Sequence, residues 1–144
     1  MKTNHSFFCN LAFNLAEYHL GKTKTNPSVG CVVVKNDCVI SSGITSISGR
    51  PHAEYNALNK RQNFKDSQIY VTLEPCSHYG ITPPCTDFIK KKRINRVYYT
   101  FNDPDKRSNK RAFKILKKNK IKVKKIKLLN NNFYQSYFLN KNKE

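Results

Sequence analysis

The chain has 144 residues, 38% of them hydrophobic with nine Phe and eight Tyr, which suffices for one layered core and is too short for two ordinary domains. No apolar run approaches the roughly 18 residues of a membrane helix, and no apolar stretch of signal-peptide type opens the chain, so the reading is a single cytoplasmic domain over 1–144 with no membrane partner. The net charge of +18 is uneven: residues 90–144 carry nineteen Lys/Arg against three Asp/Glu, and residues 1–89 carry eight against six.

Phe7, Phe8, Leu11, Ala12, Leu15, Ala16, Tyr18 and His19 recur with near-helical spacing before Gly21, which predicts a first helix over about 4–20. A loop at 25–28 leads into a buried-type strand over 29–35. Asn36-Asp37 signals a tight turn, and 38–42 is the returning strand of a hairpin. Residues 43–50 read as a loop, with Pro51 opening a helix that runs to about 61. A strand over 68–73 is followed by a Pro- and Gly-punctuated loop over 74–84 and by helical spacing over 85–92. Then come a strand over 96–101, a basic amphipathic helix over 109–119 and a strand over 121–128, with a bulge expected where alternation slips at Lys124-Lys125. Residues 133–139 predict a short helix whose aromatic residues pack back on the body. This order implies a three-layer α/β/α sandwich around a five-stranded sheet, mixed because its first two strands form a hairpin.

Five cysteines are an odd number, and no spacing suggests a disulfide framework. Cys9, Cys31 and Cys38 fall in helical or strand-like segments and read as small buried hydrophobes. Cys76 and Cys85 lie among Pro, Gly, His and Thr and need another explanation. The basic surplus has two readings, a nucleic-acid surface or a drift of composition toward Lys (21) and Asn (17) with few Arg (6). Drift accounts for the same numbers on any solvated surface, and a cationic face also attracts a phosphorylated small molecule.

Two fragments carry chemistry: Pro51-His52-Ala53-Glu54, and Glu74-Pro75-Cys76 followed by eight residues and Cys85. One imidazole and two thiolates are a natural donor set for Zn²⁺, and three protein ligands with a fourth position left open is the arrangement of a catalytic site. His52 and Cys85 stand at predicted helix starts, where unpaired N–H groups stabilise a thiolate. Glu54, two residues past His52, is placed to act as general acid and base without binding the metal. His78 is the nearby candidate for a fourth ligand if the site were closed. In the order H-x-E then P-C, these residues carry the signature of zinc deaminases as a class.

The residues Tyr70-Val71-Thr72-Leu73-Glu74-Pro75-Cys76-Ser77-His78-Tyr79-Gly80, with Thr82-Pro83-Pro84-Cys85, closely resemble the riboflavin-biosynthesis pyrimidine deaminases, the deaminase half of bifunctional deaminase–reductases. Asn26-Pro27, Val29-Gly30-Cys31, Gly49 to Glu54, Ala57-Leu58 and Asn102-Asp103-Pro104-Asp105 match the same family, over about 7–129. The resemblance implies a cytidine deaminase-like fold, bound zinc and hydrolytic deamination of 2,5-diamino-6-ribosylamino-4(3H)-pyrimidinone 5′-phosphate. It also implies that Glu54 moves the protons and that Asn26, His78 and Asp103 contact substrate. A separate reductase is then expected to use the product, and a homodimer follows from the way relatives of this fold associate. Glu74 is expected to tie the Cys loop to nearby N–H groups.

The chain departs from the family in two places. Ile81 stands where an Arg or Lys is usual, so a nearby Lys is expected to take over its substrate contact. Lys110-Arg111-Ala112 replaces a Gly-x-Gly, so the turn there takes another backbone path. Two alternatives compete: a tRNA or other nucleic-acid base deaminase of the same superfamily, suggested by ten Lys/Arg and no acid over 110–127, and a non-catalytic zinc-binding partner of a separate reductase. Against the first stands the eight-residue Cys spacing, since the other deaminases of this fold generally have two residues there.

Overall fold

Asn4 starts the first helix, its side-chain oxygen accepting the Phe7 N–H at 3.0 Å and so pairing one of the donors a helix start leaves open. This computed structural model describes residues 4–129 and 131–142. The elements are α1 (His5–Glu17), β1 (Gly30–Lys35), β2 (Cys38–Ile44), α2 (Ala53–Leu58), β3 (Gln68–Leu73), α3 (Cys85–Lys91), β4 (Arg96–Phe101), α4 (Arg111–Lys118), β5 (Lys122–Lys125) and α5 (Gln135–Asn142). Asn36 and Asp37 both have positive φ, as a two-residue hairpin turn requires.

The strands form one mixed sheet in the order β2-β1-β3-β4-β5. β1 runs antiparallel to both β2 and β3, and β3, β4 and β5 are parallel. Side chains alternate between the two faces. Val32, Val34, Tyr70 and Tyr98 pack with Phe8, Cys9 and Ala12 of α1. Val33, Ile69, Val71 and Val97 share the other core with Ala57 and Leu58 of α2, Ile89 of α3 and Leu116 of α4. The three-layer sandwich expected from the element order is therefore present.

Two glycines let the helices approach the sheet closely. A Cβ on Gly30 would lie 1.9 Å from the Ala12 carbonyl oxygen of α1, and one on Gly43 would lie 2.4 Å from the Ala53 carbonyl oxygen of α2. The second contact matters more, because the start of α2 carries His52 and Glu54.

Several local expectations are corrected. The second helix is shorter than predicted, because the chain leaves helical geometry at Asn59 and Lys60 Nζ reaches back to Ser41 Oγ at 2.7 Å and the Ser42 carbonyl at 3.2 Å. Pro51 precedes that helix, after a cis peptide bond, and His52 is its N-cap. β5 covers only 122–125, and its pairing with β4 is regular through Lys124 and Lys125, so no bulge lies there. β5 is an edge strand whose Lys122, Lys124 and Lys125 are exposed, and Val123 alone of its residues packs on the core. The register shift occurs instead between Val33 and Val34 in the β1–β2 pairing. Cys9 and Cys31 are buried as expected, whereas Cys38 is exposed at the start of edge strand β2.

Candidate active site

Two short helices aim their N-termini at one point. His52 caps α2, and Cys85 is the first residue of α3, behind the N-cap Pro84. Cys76 lies three residues past the end of β3, and the Cys85 N–H donates to its sulfur at 3.1 Å. His52 Nδ1 is 3.7 Å from Cys76 Sγ and 3.5 Å from Cys85 Sγ, and the three donor atoms all lie within 4.8 Å of one another. Tetrahedral zinc with ordinary Zn–N and Zn–S bonds requires N···S edges of about 3.6 Å. The donor set and its spacing therefore fit zinc, with Nδ1 as the imidazole ligand.

The electrostatics agree with the donor chemistry. Hydrogen bonding from Cys85, with further help from His52, holds the Cys76 thiol down at about 4. The Cys85 thiol is raised, by the same shared hydrogen bond first and by burial second. Glu54 is 4% exposed, in the first turn of α2, and adjoins the Cys85 sulfur. Burial first, and then the Cys76 charge, push its carboxyl up to about 7.

One cavity is lined by His52, Glu54 and Cys76 together with Asn26, His78 and Asp103. Cys85 is buried and lines a neighbouring cavity together with His52. His78 does not join the metal group; its Nδ1 pairs with Ser108 Oγ at 2.7 Å. Asn26 donates from Nδ2 to the Gly49 carbonyl at 3.0 Å. Asp103 is buried, which raises its carboxyl, and its Oδ1 accepts from the Asp105 N–H and the Tyr137 hydroxyl, both at 3.0 Å.

Glu74 makes the tie expected of it. Its Oε1 accepts from Asn102 Nδ2 and from the Asp103 and Lys110 N–H groups, and its Oε2 from the Ala112 N–H. It therefore ties the start of the Cys loop to the loop between β4 and α4. This is also the other backbone path expected at the missing Gly-x-Gly: Lys110 adopts φ 61°, and Glu74 takes its N–H.

Sequence reasoning missed Ser108, which is fully buried and orients His78, and Tyr137, which orients Asp103. It also assigned no role to Arg50, Arg107 and Lys141, which line the same cavity. Arg50, beside the His52 fragment, was the one of these with a local signal.

An imidazole and one thiolate on helix starts, a second thiolate on the loop after β3 and a buried carboxylate beside them define the site of a zinc-dependent deaminase. The chain belongs to the family described as the cytidine and deoxycytidylate deaminase zinc-binding region, whose model matches residues 2–101, and within it to the riboflavin-biosynthesis deaminases. It is 39% identical over 122 residues to the diaminohydroxyphosphoribosylamino-pyrimidine deaminase of Buchnera aphidicola subsp. Acyrthosiphon pisum, covering 84% of this chain and 83% of that one. It is 42% identical over 118 residues to the riboflavin biosynthesis protein RibD of Chlamydia muridarum, covering 81% of this chain but only 32% of that protein. The chain thus spans about a third of the length of that relative. Among solved structures, Acinetobacter baumannii RibD superposes with a TM-score of 0.83 at 35% identity, covering 93% of this chain and 40% of that one. No helix among the described residues is long and apolar enough to cross a membrane.

Proposed function

We propose that the chain deaminates 2,5-diamino-6-ribosylamino-4(3H)-pyrimidinone 5′-phosphate hydrolytically, releasing ammonia and 5-amino-6-ribosylaminouracil 5′-phosphate. The observation that carries this reading is the buried Glu54 carboxyl beside the His52, Cys76 and Cys85 donors, on the floor of a cavity also lined by Asn26, His78 and Asp103. The relatives named for this reaction and for riboflavin biosynthesis support the choice of substrate.

When bound by the three donors, zinc supplies the Lewis acidity that brings the pKa of a water toward neutrality. Glu54 handles the protons. It accepts one from the attacking water, passes it to the ring nitrogen and delivers one to the departing amine as the C2–N bond breaks. Burial raises this carboxyl above the usual carboxylate range, which suits a group that must both take and give a proton. His78, held by Ser108, and Asp103, held by Tyr137, are preset as a nitrogen and a carboxylate facing the substrate. Asn26 presents an amide anchored on the Gly49 carbonyl to the same space. A separate reductase is the expected consumer of the product.

The test is mass-spectrometric turnover by the purified, zinc-loaded chain with this substrate. Exchange of an amino group for a carbonyl oxygen adds about one mass unit and releases ammonia. Full zinc occupancy with neither change would reject the reading.

A further inference from the structure

Three cations stand around the cavity, and none of them is on the loop between Cys76 and Cys85: Arg50 lies just ahead of α2, Arg107 follows β4, and Lys141 is in the last turn of α5. The Cys loop itself presents Ile81 to solvent at 85% exposure. Arg50 leans over that loop, donating from Nη1 to Thr82 Oγ1 at 3.1 Å. Asp105 grips Arg107 through Nε at 3.0 Å and Nη2 at 2.6 Å. That grip fixes the guanidinium plane while using two of its five N–H donors. Lys141 lines the same cavity, and its charge acts on the same Asp105 carboxylate.

The helix that brings Lys141 there is firmly seated. The buried Tyr134 hydroxyl donates to the Ser28 carbonyl at 2.8 Å and pairs with Thr72 Oγ1, and Tyr137 reaches Asp103. Phe138 packs against Phe101 at the end of β4. Tyr134, Tyr137, Phe138 and Lys141 themselves all lie beyond residues 2–101, the span matched by the family model.

We infer that Arg50, Arg107 and Lys141 form an anion-binding rim for the substrate phosphate, with α5 supplying a cation to a site whose Cys loop carries Ile81. The inference rests on the proposed phosphorylated substrate. Guanidinium groups held in plane offer paired donors to phosphate oxygens, and a lysine adds a mobile point charge. The uncharged ring then sits at the metal end and the dianion at the rim, away from the Glu54 carboxyl.

The experiment titrates ribose 5-phosphate into the zinc-loaded chain and into Arg107→Gln, Lys141→Gln and the double variant, with zinc content and Tm recorded for each. In parallel, kcat/KM is measured for the diaminopyrimidinone substrate with and without its 5′-phosphate. Each single substitution is expected to weaken ribose 5-phosphate binding about 10-fold, the loss of one charge-assisted contact. The preference for the phosphorylated substrate should fall by a similar factor, and Lys141→Arg should restore it. A folded double variant that binds ribose 5-phosphate within about twofold of the parent overturns the inference, as does a parent that shows no saturable binding. A parent that binds ribose 5-phosphate through these residues but converts neither pyrimidine sinks only the functional reading.

Discussion

Replacing Glu74 by Gln changes one atom type and almost no volume, so its cost isolates hydrogen bonding from packing. The carboxylate is 3% exposed and accepts four N–H donors, three on Oε1 and one on Oε2. A glutamine must turn its NH₂ toward one of these sets. The smaller loss sets it against the Ala112 N–H, so that one buried bond is lost and two donors face each other, at about 1–3 kcal/mol. The other three bonds survive as neutral ones, weaker than the charge-assisted originals. Together these amount to about 2–4 kcal/mol of destabilisation. For a chain of this size that corresponds to a Tm lower by roughly 10 °C, read by circular dichroism. The loop it releases carries Asp103 and Ser108, so KM should rise while zinc content stays at that of the parent. A loss below about 1 kcal/mol with KM unchanged would refute the account of Glu74 as the organiser of that loop.

Four further substitutions test other parts of the site. Glu54→Gln should retain zinc while turnover falls by about 10²-fold or more, and near-normal turnover would remove Glu54 from the proton path. Cys85→Ser should lose zinc, measured by elemental analysis, and melt at the temperature of the chelator-treated parent, because metal binding is linked to folding. Gly43→Ala should destabilise by about 1–3 kcal/mol through overpacking, since its Cβ would lie 2.4 Å from the Ala53 carbonyl oxygen. Turnover should fall with it because His52 and Glu54 sit at the start of the displaced helix; an unchanged urea midpoint would show that α2 yields freely. Tyr134→Phe strands the Ser28 carbonyl and should cost about 1–3 kcal/mol in urea denaturation, and a smaller loss would mean that the contact is dispensable.

The architecture and the grouping of His52, Cys76 and Cys85 were legible because they rest on short-range signals. Alternating apolar residues, Asn36-Asp37 and the Pro-flanked His52, Cys76 and Cys85 are all readable within a few residues of themselves. Glu74 was recognised as tying its loop to backbone N–H groups, but not to which ones, because its donors come from the loop at positions 102–112. The path of that loop depends on Lys110 accepting a left-handed φ once Glu74 takes its N–H. Ser108 and Tyr137 were invisible for the same reason: each acts on a residue at least 30 positions away, through one hydrogen bond that no periodicity encodes. The lysines of β5 misled in the other direction, since an edge strand need not alternate.

The order in which the chain is made gives the site a history. Every metal donor is in place by residue 85, whereas the wall contributed by Tyr137 and Lys141 belongs to the last helix. Because synthesis runs from the N-terminus and early segments fold first, the donor cluster emerges while one side of the cavity is still unbuilt. An ion can enter through that side before Tyr134 docks on Ser28 and Thr72 and α5 settles into place. In the finished protein the same helix walls the cavity through Tyr137 and Lys141, so a chain that ends before α5 should take up metal faster than the mature fold does.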